Sequence, residues 1–229
     1  RELATFEIGP VYRPIAGEDL PEQTDRLAIA LTGNFDEAAW NRPARAADFY
    51  DLKGLVEEVL TWFGAQATWR AAEVGTSASG QAAEVLIGDR VIGRAGRVKT
   101  GVLKAFELGQ DVFLAELDLT ALLALPVVYS RFQELAPFPP SLRDLAVLVG
   151  RNVPVGDLVS TAREAGGKIL ADVGVFDVYT GQQVPEGKKS VALSLVYQSP
   201  ERTLTDKDTQ KAHDKIVKAL ETKFEAQLR

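Results

Sequence analysis

The chain contains no cysteine and no methionine, and its 229 residues include one histidine, His213. Without cysteine there is no disulfide, no thiolate metal site and no cysteine nucleophile, and a reducing cytoplasm is the compatible and expected location. A histidine metal cluster or a Ser-His-Asp triad would have to rest on His213 alone, so surface placement or helix packing is its expected role. Long apolar runs are also missing. None approaches the roughly 20 residues that a membrane span requires, and no membrane partner is expected. The absence of methionine and the opening Arg1-Glu2-Leu3 lead us to read the chain as a fragment of something longer, with no signal or transit segment visible. Cationic excess is absent as well: 26 Lys and Arg face 32 Asp and Glu, a net charge of -6. A broad basic face for non-specific nucleic-acid binding is therefore not expected, DNA is not an expected partner, and any nucleic-acid contact must be local.

The charge that is present divides unevenly. Residues 1–128 carry 12 Lys and Arg against 19 Asp and Glu, whereas residues 129–229 carry 14 against 13. This asymmetry favours two domains with different partners. In the acidic half, a strand-like run from Leu3 to Val11 is expected to end at Pro10 and Pro14, and Asp25 to Gly33 reads as a mostly buried strand. A polar loop with Trp40 and Pro43 follows. Asp48, with Asp51 three residues on, predicts a capped helix start, and Leu52, Val56, Val59, Leu60 and Phe63 continue at helical spacing. Strands are expected over 66–73, 84–87, 90–93 and 112–119, with Gly88-Asp89 as a hairpin turn and a short helix over 99–108. Proline clusters at Pro126, Pro137, Pro139 and Pro140, which sets a boundary near Pro126 and a linker over 126–140.

The balanced half reads as strand (143–149), helix (155–165), strand (169–179), strand, long helix and a short tail, the βαββαβ order of a ferredoxin-like motif. Its most informative stretch runs from Gly174 to Asp206. Asp177 and Tyr179 stand two residues apart, so an extended chain projects both from one face. After the Gly181 to Gly187 loop, Ser190, Ala192, Ser194 and Val196 alternate with apolar neighbours, the pattern of a strand with one buried face. Thr205 and Asp206 mark a helix start. Ala212, Ile216, Ala219, Leu220 and Phe224 make its buried stripe, and Lys207, Lys211, Lys215 and Lys218 a cationic stripe that by default is a solvated helix face.

Arg143-Asp144-Leu145-Ala146, Phe176-Asp177-Val178-Tyr179, Pro185-Glu186-Gly187-Lys188-Lys189-Ser190 and Arg202-Thr203-Leu204-Thr205-Asp206 together resemble, in order and spacing, the ferredoxin-fold anticodon-binding domain of phenylalanyl-tRNA synthetase. Phe6-Glu7-Ile8-Gly9, Leu31-Thr32-Gly33, Trp40 and Asp48 to Gly54 resemble the bacterial β subunit just before that domain. The resemblance implies an α+β chain. Residues 1–125 would be the later part of a non-catalytic, antiparallel class II synthetase-like module, 126–140 a linker, and 141–229 the anticodon-binding domain. It further implies two partners, phenylalanine tRNA and a catalytic α subunit, in an assembly of two α and two β. ATP and Mg are expected for the parent complex and neither for this chain. In two loops the chain departs from the family: Thr76 to Gln81 replaces a His-Pro-Gly-Arg-like loop, and Gly96 to Thr100 lacks the usual Glu-Leu-His-Pro. Gly93-Arg94-Ala95-Gly96-Arg97 superficially matches an arginine-ended ATP motif, but it falls in an expected hairpin and reads as a structural turn.

The resemblance implies tRNA-binding roles for Asp177, Tyr179 and Ser190 at the first anticodon base, a guanine, and for Ala146 and Arg229 near the other anticodon bases. Such roles suit the chemistry, because unstacked bases are read by side-chain hydrogen bonds and aromatic stacking. Charge and turn position alone add Lys188 and Lys189 as phosphate contacts. No residue is expected to be catalytic and none to bind metal. Two other readings stay open. One is a structural or oligomerisation module that binds protein and not RNA. The other is a self-sufficient enzyme, against which stand the missing cysteine, histidine cluster and ATP motif.

Overall fold

The structure, a computed structural model, describes residues 2–73, 75–126 and 136–229. It divides into two compact units, Arg1–Arg131 and Phe132–Arg229. Most of the linker expected over 126–140 lies outside the described residues.

In the first unit, β1 (Leu3–Arg13) and β2 (Glu22–Thr32) form a long antiparallel hairpin at one edge of a six-stranded sheet. Pro10 does not end β1 as expected; it pairs with Asp25 in mid-strand. The physical reason is that β1 is an edge strand, where a residue without an N–H costs no ladder bond if that side faces outward. A small hairpin, β3 (Asn34–Asp36) and β4 (Arg45–Ala46), lies within the loop that carries Trp40. Helix α1 (Phe49–Trp62) starts as expected at Asp48, whose carboxylate accepts from the Tyr50 and Asp51 amides while Asp51 caps back onto the Asp48 amide. Arg45 clamps this start to the small hairpin, with both guanidinium ends on Asp51 at 2.8 Å and Nε on Asp36 at 2.9 Å. These bonds hold the Asp51 carboxyl below its ordinary range.

The remaining strands are β5 (Thr68–Ala71), β6 (Ser77–Ile87), β7 (Arg90–Val98) and β8 (Val112–Asp118), in the order β1-β2-β8-β7-β6-β5 and antiparallel at every pairing. Two short helices, α2 (Thr100–Ala105) and α3 (Leu119–Leu123), follow β7 and β8; the second was not expected from the sequence. Leu52, Val56 and Leu60 of α1 are fully buried against Leu27, Ile29, Leu31, Phe113, Ala115 and Leu117 on one face of the sheet. At about 1.5–3 kcal/mol per buried large apolar side chain, this face holds the unit together. Gly93 and Gly96 lie inside β7 and not in a turn as expected. A Cβ at Gly93 would come within 2.5 Å of the Glu116 carbonyl, and one at Gly96 within 2.7 Å of the Gln81 carbonyl, so close backbone approach explains both glycines.

The second unit runs β9 (Ser141–Gly150), α4 (Val155–Gly166), a single 3-10 turn (Gly167–Ile169), β10 (Leu170–Tyr179), β11 (Lys188–Tyr197), α5 (Asp206–Phe224) and β12 (Gln227–Leu228). The expected βαββαβ order is present. The sheet order is β10-β11-β9-β12, again wholly antiparallel. Leu145, Val147, Val149, Val191, Leu193 and Leu195 bury one face under both helices, together with Leu158, Ala162, Ala212, Ile216 and Leu220. Among the described residues of this unit, no helix covers the other face of the sheet.

Candidate nucleic-acid interface

The open face is built by register. Without interruption, β10 would alternate from buried Val173 through Val175 to place Asp177 on the helix-covered face. A bulge intervenes: Val175 pairs with Leu193, but Asp177 pairs with Ala192, leaving Phe176 as the extra residue. A single extra residue reverses the facing of everything beyond it. Asp177 and Tyr179 therefore join Ala192 and Ser190 on the open face.

Two adjacent cross-strand rows result. In the first, Asp177 pairs with Ala192 and Ala192 with Ala146, and the Arg229 amide donates to the Ala146 carbonyl at 3.0 Å. In the second, Tyr179 pairs with Ser190, Ser190 with Leu148, and Leu148 with Gln227. Asp177, Ala146, Arg229, Tyr179 and Ser190, drawn from residues as far apart in sequence as 146 and 229, thus lie side by side across the strands. The Arg229 guanidinium lies over the Tyr179 ring, 5.7 Å from its centroid, and also donates to Gln183 Oε1 at 3.1 Å. Tyr179 remains 38% exposed while Ser190 is 5% exposed. Gly181 sits directly under the tyrosine, since a Cβ there would meet its hydroxyl oxygen at 2.1 Å.

The two lysines part company. Lys188 stays by the rows, its Nζ donating to Gln227 Oε1 at 3.0 Å. Lys189 pairs with buried Val149 and so faces the helix side, where its Nζ donates to the Val153 carbonyl and burial lowers its pKa. Sequence reasoning treated them alike, although strand alternation alone separates neighbours onto opposite faces. It placed Ala192 beside Ser190 on the unburied face but missed Leu148 and Gln227 as parts of the surface. Their signal was the pairing register, which no single strand carries.

Chemically, the face offers a carboxylate, a phenol, a guanidinium and an ammonium around a floor of two alanines. Asp177 can accept from base N–H groups, Tyr179 and Arg229 can stack on a base or donate to it, and the small side chains of Ala146 and Ala192 leave room for a planar ring. His213 belongs to a different place. It is half-buried on α5 with Nδ1 3.4 Å from the Tyr197 hydroxyl; burial lowers the histidine's pKa and raises that of Tyr197 to about 12. Among the described residues there is no grouping of three or more potential metal-ligating His, Cys, Asp or Glu side chains, and no helix is long and apolar enough to cross a membrane.

Residues 1–119 match the family model of the phenylalanyl tRNA synthetase beta chain CLM domain, and residues 136–229 match that of the ferredoxin-fold anticodon binding domain. Relatives described as phenylalanine–tRNA ligase beta subunit include one from Symbiobacterium thermophilum, 37% identical over 96% of this chain and 25% of the relative. Another, from Syntrophotalea carbinolica, is 38% identical over 100% of this chain and 29% of the relative. A third, from Moorella thermoacetica, is 40% identical over 99% and 28%. The chain thus spans about a quarter of the length of the curated relatives it matches.

Proposed function

We propose, since the chain belongs to the phenylalanyl-tRNA synthetase beta chain family, that its second unit docks the anticodon loop of phenylalanine tRNA through the open sheet face. The observation that carries this reading is the pair of adjacent rows in which the register gathers Asp177, Ala146, Arg229, Tyr179 and Ser190. In this reading Asp177 accepts from the Watson–Crick edge of the first anticodon base, Tyr179 and Arg229 supply stacking planes, and Ser190 offers a hydroxyl beside Tyr179. Lys188 meets the phosphate backbone, releasing counterions as it does so. Lys189, turned to the helix side, is left out of the contact.

The first unit is, in the same reading, a non-catalytic class II synthetase-like scaffold for a catalytic α subunit, in a cytoplasmic assembly of two α and two β chains that charges phenylalanine tRNA. Its edge strand supports a protein partner: Phe6, Ile8 and Tyr12 share one face of β1 and are all more than half exposed. Contiguous apolar surface of this kind marks interaction sites. ATP and Mg belong to the catalytic subunit. No step of the reading passes through either.

The test is the affinity of the full chain for phenylalanine tRNA and for a transcript with the first anticodon base changed. The cognate transcript is expected to bind tighter, and Asp177→Ala to remove about 1.5–3 kcal/mol from cognate binding alone, the worth of a hydrogen bond to a charged group. Equal affinity for the two transcripts would sink the base-reading role. Unchanged tRNA charging by the parent enzyme carrying Asp177→Ala would favour the protein-binding alternative.

A further inference from the structure

The first unit has an open face of its own, and it holds a cleft of about 650 Å³ between the sheet and the chain at Gly75 to Ser77. That size is within the range of small-molecule sites. The cleft has a charged and an apolar part, and in the charged part three arginines outnumber two carboxylates, Glu116 and Asp118. Arg26 and Arg94 rise from β2 and β7, and Arg13 joins them from β1, on the same side as Arg26 because Gly9 pairs with Arg26 and alternate residues share a face. Leu114 and Val98 form part of the apolar lining.

The three guanidinium groups differ in how they are satisfied. Arg94 has a partner outside the cleft, Glu84 at 3.5 Å, which Arg70 also holds at 2.7 Å. Arg26 does not have a comparable bond. Its nearest carboxylates, Glu116 and Asp118, both stand at 3.9 Å, beyond hydrogen-bonding distance, and its Nε is buried with no hydrogen-bond partner. On β2, two residues away and on the same face, the Thr24 hydroxyl is likewise buried without a partner. Buried polar groups are ordinarily satisfied, and leaving one unmade costs free energy. A planar guanidinium that its carboxylates approach only to 3.9 Å, lining one cleft with a second arginine and an aliphatic wall, is suited to an oxyanion carried on an apolar body.

We propose that this cleft is a ligand site for a small molecule bearing a carboxylate or a phosphate monoester, with the oxyanion on Arg26 and Arg13 and the apolar body against Leu114 and Val98. The site lies wholly in the first unit and is independent of the RNA-binding reading of the second.

The experiment is ligand-observed saturation-transfer NMR on the full chain with three probes that share one ring: benzoate, phenyl phosphate and the neutral methyl benzoate. At least one of the two oxyanions is expected to bind, and which one does so separates a carboxylate ligand from a phosphate ligand. The neutral ester should bind about tenfold more weakly or worse, as loss of a charge-assisted hydrogen bond implies. Arg26→Gln should weaken the bound oxyanion by a similar factor, and Lys188→Ala should leave it unchanged. If Arg26→Gln fails to fold, the exposed Arg13→Gln variant, expected to weaken binding severalfold, decides with the ester. The site is overturned if neither oxyanion binds, if the ester binds as well as they do, or if the arginine variants bind like the parent chain.

Discussion

At the scale of single residues, Tyr179 owes its position to its neighbours. The ring rests on Gly181, where any side chain would need its space, and carries the Arg229 guanidinium above it. A tyrosine in a strand is most often half-buried packing, and the same ring could serve that role or present a stacking plane; what distinguishes it here is that Arg229 and Asp177 share its face. His213 shows the opposite case, a titratable residue whose effect is on stability. Its folded pKa is lowered chiefly by burial, against the pull of Asp214, with Arg143 adding to the lowering and the Tyr197 hydroxyl beside Nδ1. The sign follows from linkage: the unfolded chain takes up a proton near the ordinary value of about 6.5, while the folded chain resists it to lower pH. The stabilisation from neutral His213 is complete above the unfolded value and is lost as pH falls below it towards the folded one. Thermal melts of the chain should therefore decline through this window, before the carboxylates of Asp172 and Asp208, both held low by arginine hydrogen bonds, begin to titrate. His213→Gln should flatten that decline. A parent melt that is level through the window would contradict it.

At the scale of elements, the bulge at Phe176 decides what β10 presents. Taking Phe176 out would make Val175 and Asp177 consecutive, opposite Leu193 and Ala192, so the ladder would become regular and Asp177 and Tyr179 would keep the open face. Deletion of Phe176 and Phe176→Ala are both expected to retain tRNA binding, whereas deletion of Val178, which puts Asp177 and Tyr179 next to each other and so on opposite faces, should weaken it; filter binding of the three variants checks this, and full binding by the Val178 deletion would refute the need for both side chains on one face. The longer strands and helices were readable from pattern, while the short β3, β4 and α3 were not. Asp48 with Asp51, and Thr205 with Asp208, make two capping boxes whose residues are adjacent in the chain. Pro10 was misread because proline stops a strand only where its missing N–H is needed, and whether a strand lies at an edge is settled by its neighbours.

At the scale of the whole molecule, the two units have separate cores, one built on Leu52, Val56 and Leu60 and the other on Leu193, Leu195 and Ile216. Leu193→Ala leaves a cavity in the second alone and is expected to cost about 2–5 kcal/mol there. Hydrogen exchange should show faster exchange in β9 to β12 with β1 to β8 unchanged, and matching acceleration in both units would mean that they unfold as one.

The candidate residues themselves were legible because hydrogen-bonding and aromatic side chains in an ordered set of motifs can be read along one strand at a time. Alternation, capping and turn chemistry act over two to four residues, so the chain by itself determined the βαββαβ order and the longer helix starts, and its resemblance to the family supplied the choice of Asp177, Tyr179 and Ser190. Only tertiary structure decided that Asp177 and Tyr179 cross to the open face, that Ala146 and Arg229 complete their row, that Lys189 turns away from Lys188, and that the Arg26 Nε is buried without a hydrogen-bond partner. Each of these depends on which residue of a distant strand lies opposite, and pairing register is a property of two strands that neither sequence contains.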